Sequence, residues 1–100
     1  MKRGGIWVTS RFGHERTWVV VGHEKVTATR PGVLVVPISD VLVSNLVRPT
    51  VSDAAGGNLG VANVPGIGEV NKAGFKAQVG MLAPTSVEYM NIALRAALDL

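Results

Sequence analysis

A chain of 100 residues, 47% hydrophobic and 17% charged, holds enough material for one small globular domain over residues 1–100 and too little for two. Charges or Gly and Pro, as at Arg30-Pro31-Gly32 and Arg48-Pro49, break every apolar stretch before the roughly 18 to 20 residues of a membrane helix, so no membrane span is expected. The lack of cysteine excludes disulfides, thiolate catalysis and Cys-ligated zinc, and two histidines without a carboxylate cluster give no reason to expect a metal or other cofactor.

Residues 1–50 hold seven basic side chains (Lys2, Arg3, Arg11, Arg16, Lys25, Arg30, Arg48) against three acidic ones (Glu15, Glu24, Asp40), a net of +4, whereas residues 51–100 come to −1. Four of the seven fall within residues 2–16, so a polyanion or an acidic protein is attracted mainly to one end of the sequence. The overall net charge of +3 is modest for a nucleic-acid binder, and ordinary solvation accounts for it equally well. Ile6 to Val8 is too short for the apolar core of a signal peptide, so a cytoplasmic setting is expected.

Short runs rich in Val, Ile, Thr and Trp, separated by Gly, Pro, Asn and Asp, predict a mainly β domain. Strands are expected near Gly5 to Thr9, Thr17 to His23, Val33 to Ile38, Val47 to Val51 and Leu59 to Val64, pairing as sequential neighbours. Thr9 to Glu15 reads as a short loop and Asp53 to Asn58, with Gly56-Gly57, as a flexible one. Trp18 to Val21 and Val33 to Val36 are continuous apolar runs, which predicts central strands covered on both faces. Val64 to Ala77, with glycines at 66, 68 and 74, reads as loop.

The period then changes. Thr85-Ser86-Val87-Glu88 fits a capping box, in which the Thr85 hydroxyl and the Glu88 carboxylate satisfy each other's backbone amides. Val87, Met90, Leu94, Ala97 and Leu98 follow at three- and four-residue steps and predict a helix with one apolar face. Tyr89 and Ile92 extend apolar surface onto its other side, and burial by a widely wrapping sheet is expected, with cover by a second subunit as the alternative. The predicted fold is α+β, a small SH3-like antiparallel β-barrel closed by a C-terminal helix.

Taken in order, Arg3-Gly4-Gly5-Ile6-Trp7, Arg16-Thr17-Trp18-Val19-Val20-Val21, Val33-Leu34-Val35-Val36-Pro37-Ile38-Ser39 and Ala93-Leu94-Arg95-Ala96-Ala97-Leu98 resemble the MazF/PemK family over nearly the whole chain. Those proteins are the toxins of toxin–antitoxin pairs. The resemblance implies a homodimeric, cytoplasmic, metal-independent and ribosome-independent endoribonuclease (mRNA interferase) acting on single-stranded RNA and neutralised by a cognate antitoxin. It places the family's catalytic arginine on Arg16 and its catalytic hydroxyl on Ser39. Gly5 stands where the family has an acid, Thr17 where it has a proline, and Gly68 where many members have a further arginine. The gyrase-poisoning CcdB toxins, which act by binding a protein, share the fold, and a non-catalytic homologue is a further alternative.

RNA cleavage without a metal needs the 2′-hydroxyl to attack the adjacent phosphate, giving a 2′,3′-cyclic phosphate and a 5′-hydroxyl. A permanently charged guanidinium and a hydroxyl can stabilise the charge that accumulates on the phosphoryl oxygens, so Arg16 and Ser39 suit those roles. Arginine is a poor proton acceptor at neutral pH. His14, two residues from Arg16, is the better general base on chemical grounds, set against its simpler reading as a solvated loop residue. His23 is expected to end the second strand at the surface. Arg3, Arg11, Lys25 and Arg48, with Arg16, are the phosphate-contact candidates. Trp7, Phe12 and Trp18 are available for base stacking; Phe12 is the candidate for contact with RNA or antitoxin, while Trp7 and Trp18, at strand positions, are expected in the core.

Overall fold

The computed structural model describes residues 1–98, Arg11 by its backbone alone. Seven strands and two helices follow in order: Gly5–Arg11 (β1), His14–Val20 (β2), Glu24–Thr29 (α1), Gly32–Ser39 (β3), Thr50–Ser52 (β4), Asn58–Ala62 (β5), Gly68–Asn71 (β6), Phe75–Met81 (β7) and Pro84–Leu98 (α2). Single 3₁₀ turns at Val64–Gly66 and Lys72–Gly74 flank β6. Among the described residues no helix is long and apolar enough to cross a membrane.

The strands form a strongly curled antiparallel sheet in the order β4-β5-β3-β2-β1-β7, with β6 added alongside β3. Its two ends meet. The Ala54 amide donates to the Met81 carbonyl at 2.8 Å and the Ala83 amide to the Ser52 carbonyl at 2.9 Å, which joins the end of β4 to the end of β7. Curling and closure follow from the continuous valine runs, since a sheet apolar on both faces must cover both.

Successive β2 and β3 side chains divide between two cores. Val19 and Val36 enter the main one with Ile6, Val51, Ala62, Val64 and Leu82, sealed by Met90, Ala93 and Leu94 of α2. Val20, Val33 and Val35 enter the other, covered by Met1, Trp7, Trp18, Val70 and Phe75, with Trp7 and Phe75 edge to face at 5.9 Å. Each valine removed from water contributes about 1.5–3 kcal/mol, so the expectation of central, doubly covered strands holds. Leu34 alone in that stretch is exposed.

Several expectations need correction. β2 begins at His14 and ends at Val20, because Thr9 to Glu15 continues the ladder down to Arg11↔His14 and only Phe12-Gly13 turns. Val47 to Pro49 lies outside β4: Asn45 and Arg48 exchange backbone bonds at 3.0 and 3.1 Å and close a turn there. β3 pairs with β5, not with β4, so sequential pairing holds only within β1–β2–β3 and β4–β5.

Val64 to Ala77 is not loop. It holds β6 and the start of β7, whose glycines sit in 3₁₀ turns or opposite a larger residue, as Gly68 does opposite Val35. The short helix α1 is capped by His23, whose Nδ1 accepts from the Lys25 amide at 3.2 Å, so His23 starts a helix instead of ending a strand.

The final helix begins at Pro84, two residues earlier than a cap on Thr85 requires. Pro84 fills its first turn, where no amide hydrogen is needed, and the Ala83 carbonyl already accepts from Val87. Thr85 is therefore helical and not a cap. Ser86 is the hydroxyl that works, its Oγ accepting from the Ser52 amide at 2.8 Å to tie α2 to β4. Tyr89 and Ile92 are not wrapped by the sheet: they are 55% and 50% exposed.

Candidate active site

The β1–β2 hairpin sets the site. Its two turn residues both have positive φ, Phe12 at 52° and Gly13 at 78°, the turn geometry that matches strand twist. Glycine adopts it freely, whereas phenylalanine costs about 1–2 kcal/mol there. The turn thereby holds Phe12 at the tip, 88% exposed. Below it, His14, Arg16 and Trp18 alternate along one face of β2. Thr9 lies opposite Arg16, and its Oγ1 accepts from Trp18 Nε1 at 2.9 Å, which fixes the indole.

β3 brings the hydroxyl. Trp18 pairs with Pro37 at the end of the β2–β3 ladder, and past that pair Arg16 and Ser39 each lie two residues further along their strands. Arg16 and Ser39 line one open cavity of about 360 Å³ together with Thr17, Pro37, Asp40, Leu42 and Asn63. Ser39 Oγ accepts from the Val41 amide at 3.2 Å, which leaves its hydroxyl hydrogen to donate elsewhere. Arg16 is exposed and has no hydrogen-bond or ion-pair partner among the described residues. Glu15, the nearest acid in sequence, is drawn away to Lys76 of β7 at 3.2 Å.

Arg16 also walls a second, larger cavity of about 800 Å³, shared with Thr9, Phe12, His14, Trp18, Val70 and Gly74. His14 faces this second cavity and does not line the one that holds Ser39. One guanidinium thus stands between two concavities, with a hydroxyl on one side and an imidazole on the other.

The remaining candidates divide by place. Phe12 belongs to the larger cavity, and the Arg11 side chain lies outside the described residues. Arg48 Nε donates to Asn63 Oδ1 at 3.1 Å, behind the Ser39 cavity. Arg3 and Lys25 are not brought to the site. Arg3 bonds Asn91 Oδ1 of α2 at 2.6 Å, and Lys25 is on α1; both lie at the opposite end of the β1–β2 ladder. Among the described residues no group of three or more His, Asp or Glu is placed to hold a metal ion.

Sequence reasoning missed Asn63 and Thr9, whereas Trp18, offered both for stacking and for the core, serves both places: it packs against the second core and lines the larger cavity. Thr9 carries a readable signal, because a short two-residue turn at Phe12-Gly13 puts it on the face of Arg16. Asn63 has none, since its place depends on β5 pairing with β3.

Neither a family model nor a curated protein matches the sequence. Solved structures do. A mycobacterial endoribonuclease in complex with its cognate antitoxin superposes with a TM-score of 0.87 at 20% identity, over 100% of this chain and 96% of that one. The Mycobacterium tuberculosis toxin MazF-mt6 gives 0.79 at 18% identity, over 96% and 97%, and a MazE–MazF complex from Deinococcus radiodurans gives 0.83 at 12% identity, over 100% and 96%. At this similarity across whole chains, the protein has the MazF-toxin fold, a curled antiparallel sheet closed by a C-terminal helix.

Proposed function

We propose that this chain is the toxin of a toxin–antitoxin pair, a metal-independent and ribosome-independent endoribonuclease that cleaves single-stranded RNA in the cytoplasm. The observation that carries this reading is the convergence of Arg16 and Ser39, from adjacent strands, on one open cavity. The endoribonuclease and MazF toxins that share the fold support it.

The arrangement of Arg16, Ser39 and His14 supports one chemistry. The scissile phosphate sits at Arg16, with one flanking nucleotide in each cavity. The 2′-oxygen attacks phosphorus as its proton leaves, the bond from phosphorus to the 5′-oxygen breaks, and that oxygen takes a proton from solvent water to depart as the 5′-hydroxyl. Arg16 and the Ser39 hydroxyl donate to the phosphoryl oxygens, where charge accumulates. His14, facing the larger cavity beside Arg16, takes the 2′-proton. Phe12 and Trp18 offer ring faces to a base there, and Arg11 and Arg48 add positive charge. Arg3 and Lys25 contact only an RNA long enough to reach the far end of the barrel.

Two protein partners complete the reading. The exposed Tyr89 and Ile92 of α2 form an apolar groove with Leu46 and Pro49, and a second copy of the chain covers it in a homodimer. A disordered acidic antitoxin segment laid over Arg16 and the basic hairpin blocks the site by charge.

The deciding experiment incubates the purified protein with a long RNA in EDTA, with Arg16→Ala and Ser39→Ala as controls. Cleavage to cyclic-phosphate ends, reduced about 10²–10³-fold by either substitution, is expected. Intact RNA combined with inhibition of gyrase would overturn the nuclease reading in favour of a poison that acts by binding.

A further inference from the structure

The cavity of Arg16 and Ser39 has a third polar wall that the proposed chemistry leaves unused. Asn63 follows β5, and its backbone is fixed from both directions: its amide donates to the Pro37 carbonyl at 2.9 Å and its carbonyl accepts from Gly66 at 2.9 Å. The side chain is fixed as well. Arg48 carries only donors, so the carboxamide atom facing its Nε at 3.1 Å must be Oδ1. The NH₂ group therefore points the other way.

Room for it exists because residue 66 is glycine; a Cβ there would lie 2.8 Å from Asn63 Nδ2. Among the described residues the Nδ2 hydrogens have no acceptor, and Nδ2 is not sealed from solvent. The cavity thus presents the Arg16 guanidinium, the Ser39 hydroxyl hydrogen and the Asn63 NH₂, with the Asp40 carboxylate at the rim. Three donors on the walls of one concavity call for a ligand rich in acceptors.

We propose that Asn63 contacts the substrate, donating from Nδ2 to a phosphate oxygen, and that Arg48 is a positioning residue that holds the carboxamide donor side outward. This assignment rests on the reading of the cavity as a phosphodiester site.

Asn63→Asp separates contact from bracing, because a carboxylate of the same shape still accepts from Arg48 but brings no hydrogen to the cavity. The expected result is an unchanged or higher Tm with kcat/KM for RNA cleavage lowered about 10²–10³-fold. Retained activity in Asn63→Asp overturns the proposal, since bracing of Arg48 would then be the only role. Arg48→Ala should lower kcat, and Arg48→Lys, which can still donate to Oδ1, should recover part of it; equal loss in both removes Arg48 as a positioning residue.

A second arm does not depend on catalysis. The Asn63 side-chain NH₂ resonance of the ¹⁵N-labelled protein, assigned by its absence in Asn63→Asp, should shift on titration with inorganic phosphate. A fixed resonance while the Ser39 amide moves overturns the contact. If the wild-type protein leaves RNA intact, the nuclease reading fails, and a phosphate-induced shift at Asn63 still establishes the anion contact.

Discussion

Gly60 lies directly against Ser39: at φ +116° its bare Cα approaches so closely that a Cβ would sit 2.6 Å from the Ser39 carbonyl oxygen. The contact is backbone against backbone, so no side-chain rotation relieves it. Gly60→Ala must adopt a strained φ, push β5 from β3, or do both, at a cost of about 1–3 kcal/mol. A Tm lower by at least about 4 °C is expected in thermal unfolding. RNA cleavage should fall further than the unfolded fraction explains, because β3, which loses the support of β5 there, carries the hydroxyl. Unchanged stability would show that the two strands have room the distances deny.

Phe12 pays for its place with strain that asparagine or glycine would avoid. Phe12→Asn should therefore stabilise the fold by about 1 kcal/mol, raising Tm by about 4–8 °C. The same variant should bind single-stranded RNA more weakly, since a stacked base contributes about 1–3 kcal/mol. Opposite signs of the two effects are the signature of a strained residue kept for contact; a drop in both, measured by calorimetry and RNA titration, would assign Phe12 a packing role.

His14 yields a test of proton transfer. An imidazole beside the scissile phosphate can accept the 2′-proton, whereas a glutamine carboxamide cannot. His14→Gln should therefore lower kcat about 10²–10⁴-fold while leaving KM for RNA little changed. Full activity in His14→Gln would remove His14 as the proton carrier.

The placement of the cations predicts a shallow salt response for a short RNA. Arg16 lines the Ser39 cavity and Arg48 lies behind it through Asn63; with Arg11, proposed above to add charge, three neutralised phosphates give a slope of about −2.1 in log affinity against log salt. Arg3→Ala and Lys25→Ala should leave that slope unchanged for an oligonucleotide spanning the two cavities and reduce it only for longer strands. A steep slope with a short oligonucleotide, lost in Lys25→Ala, would place the binding path at the other end of the barrel.

The α2 groove gives a test of assembly. Replacing both Tyr89 and Ile92 by aspartate puts two charges on a half-exposed face outside the main core. The variant should keep its Tm at low concentration yet sediment as a monomer where the wild type sediments as a dimer. A monomeric wild type would leave this groove without a second copy.

The valine runs of β2 and β3 were legible because burial on both sides leaves no polar alternation, and the family motifs pointed to Arg16 and Ser39. The register that joins them was not, since it depends on where β2 starts, and Arg11-Phe12-Gly13-His14 lacks the Asn-Gly pair that marks a tight turn. β6 and β7 were hidden by their glycines and by exposed polar residues such as Lys76 and Gln78, because a strand paired along one edge needs little apolar character. Six-residue α1 is too short to show a period. Asn63 took its meaning from Arg48, fifteen residues away, a pairing that only the folded chain creates.

The helix that seals the main core lies C-terminal to every strand. Without Met90, Ala93 and Leu94, the apolar cluster of Ile6, Val19, Val36, Val51, Ala62, Val64 and Leu82 loses its cover against water. On the proposed reading, the hydroxyl and the guanidinium therefore owe their rigid setting to a helix that touches neither of them.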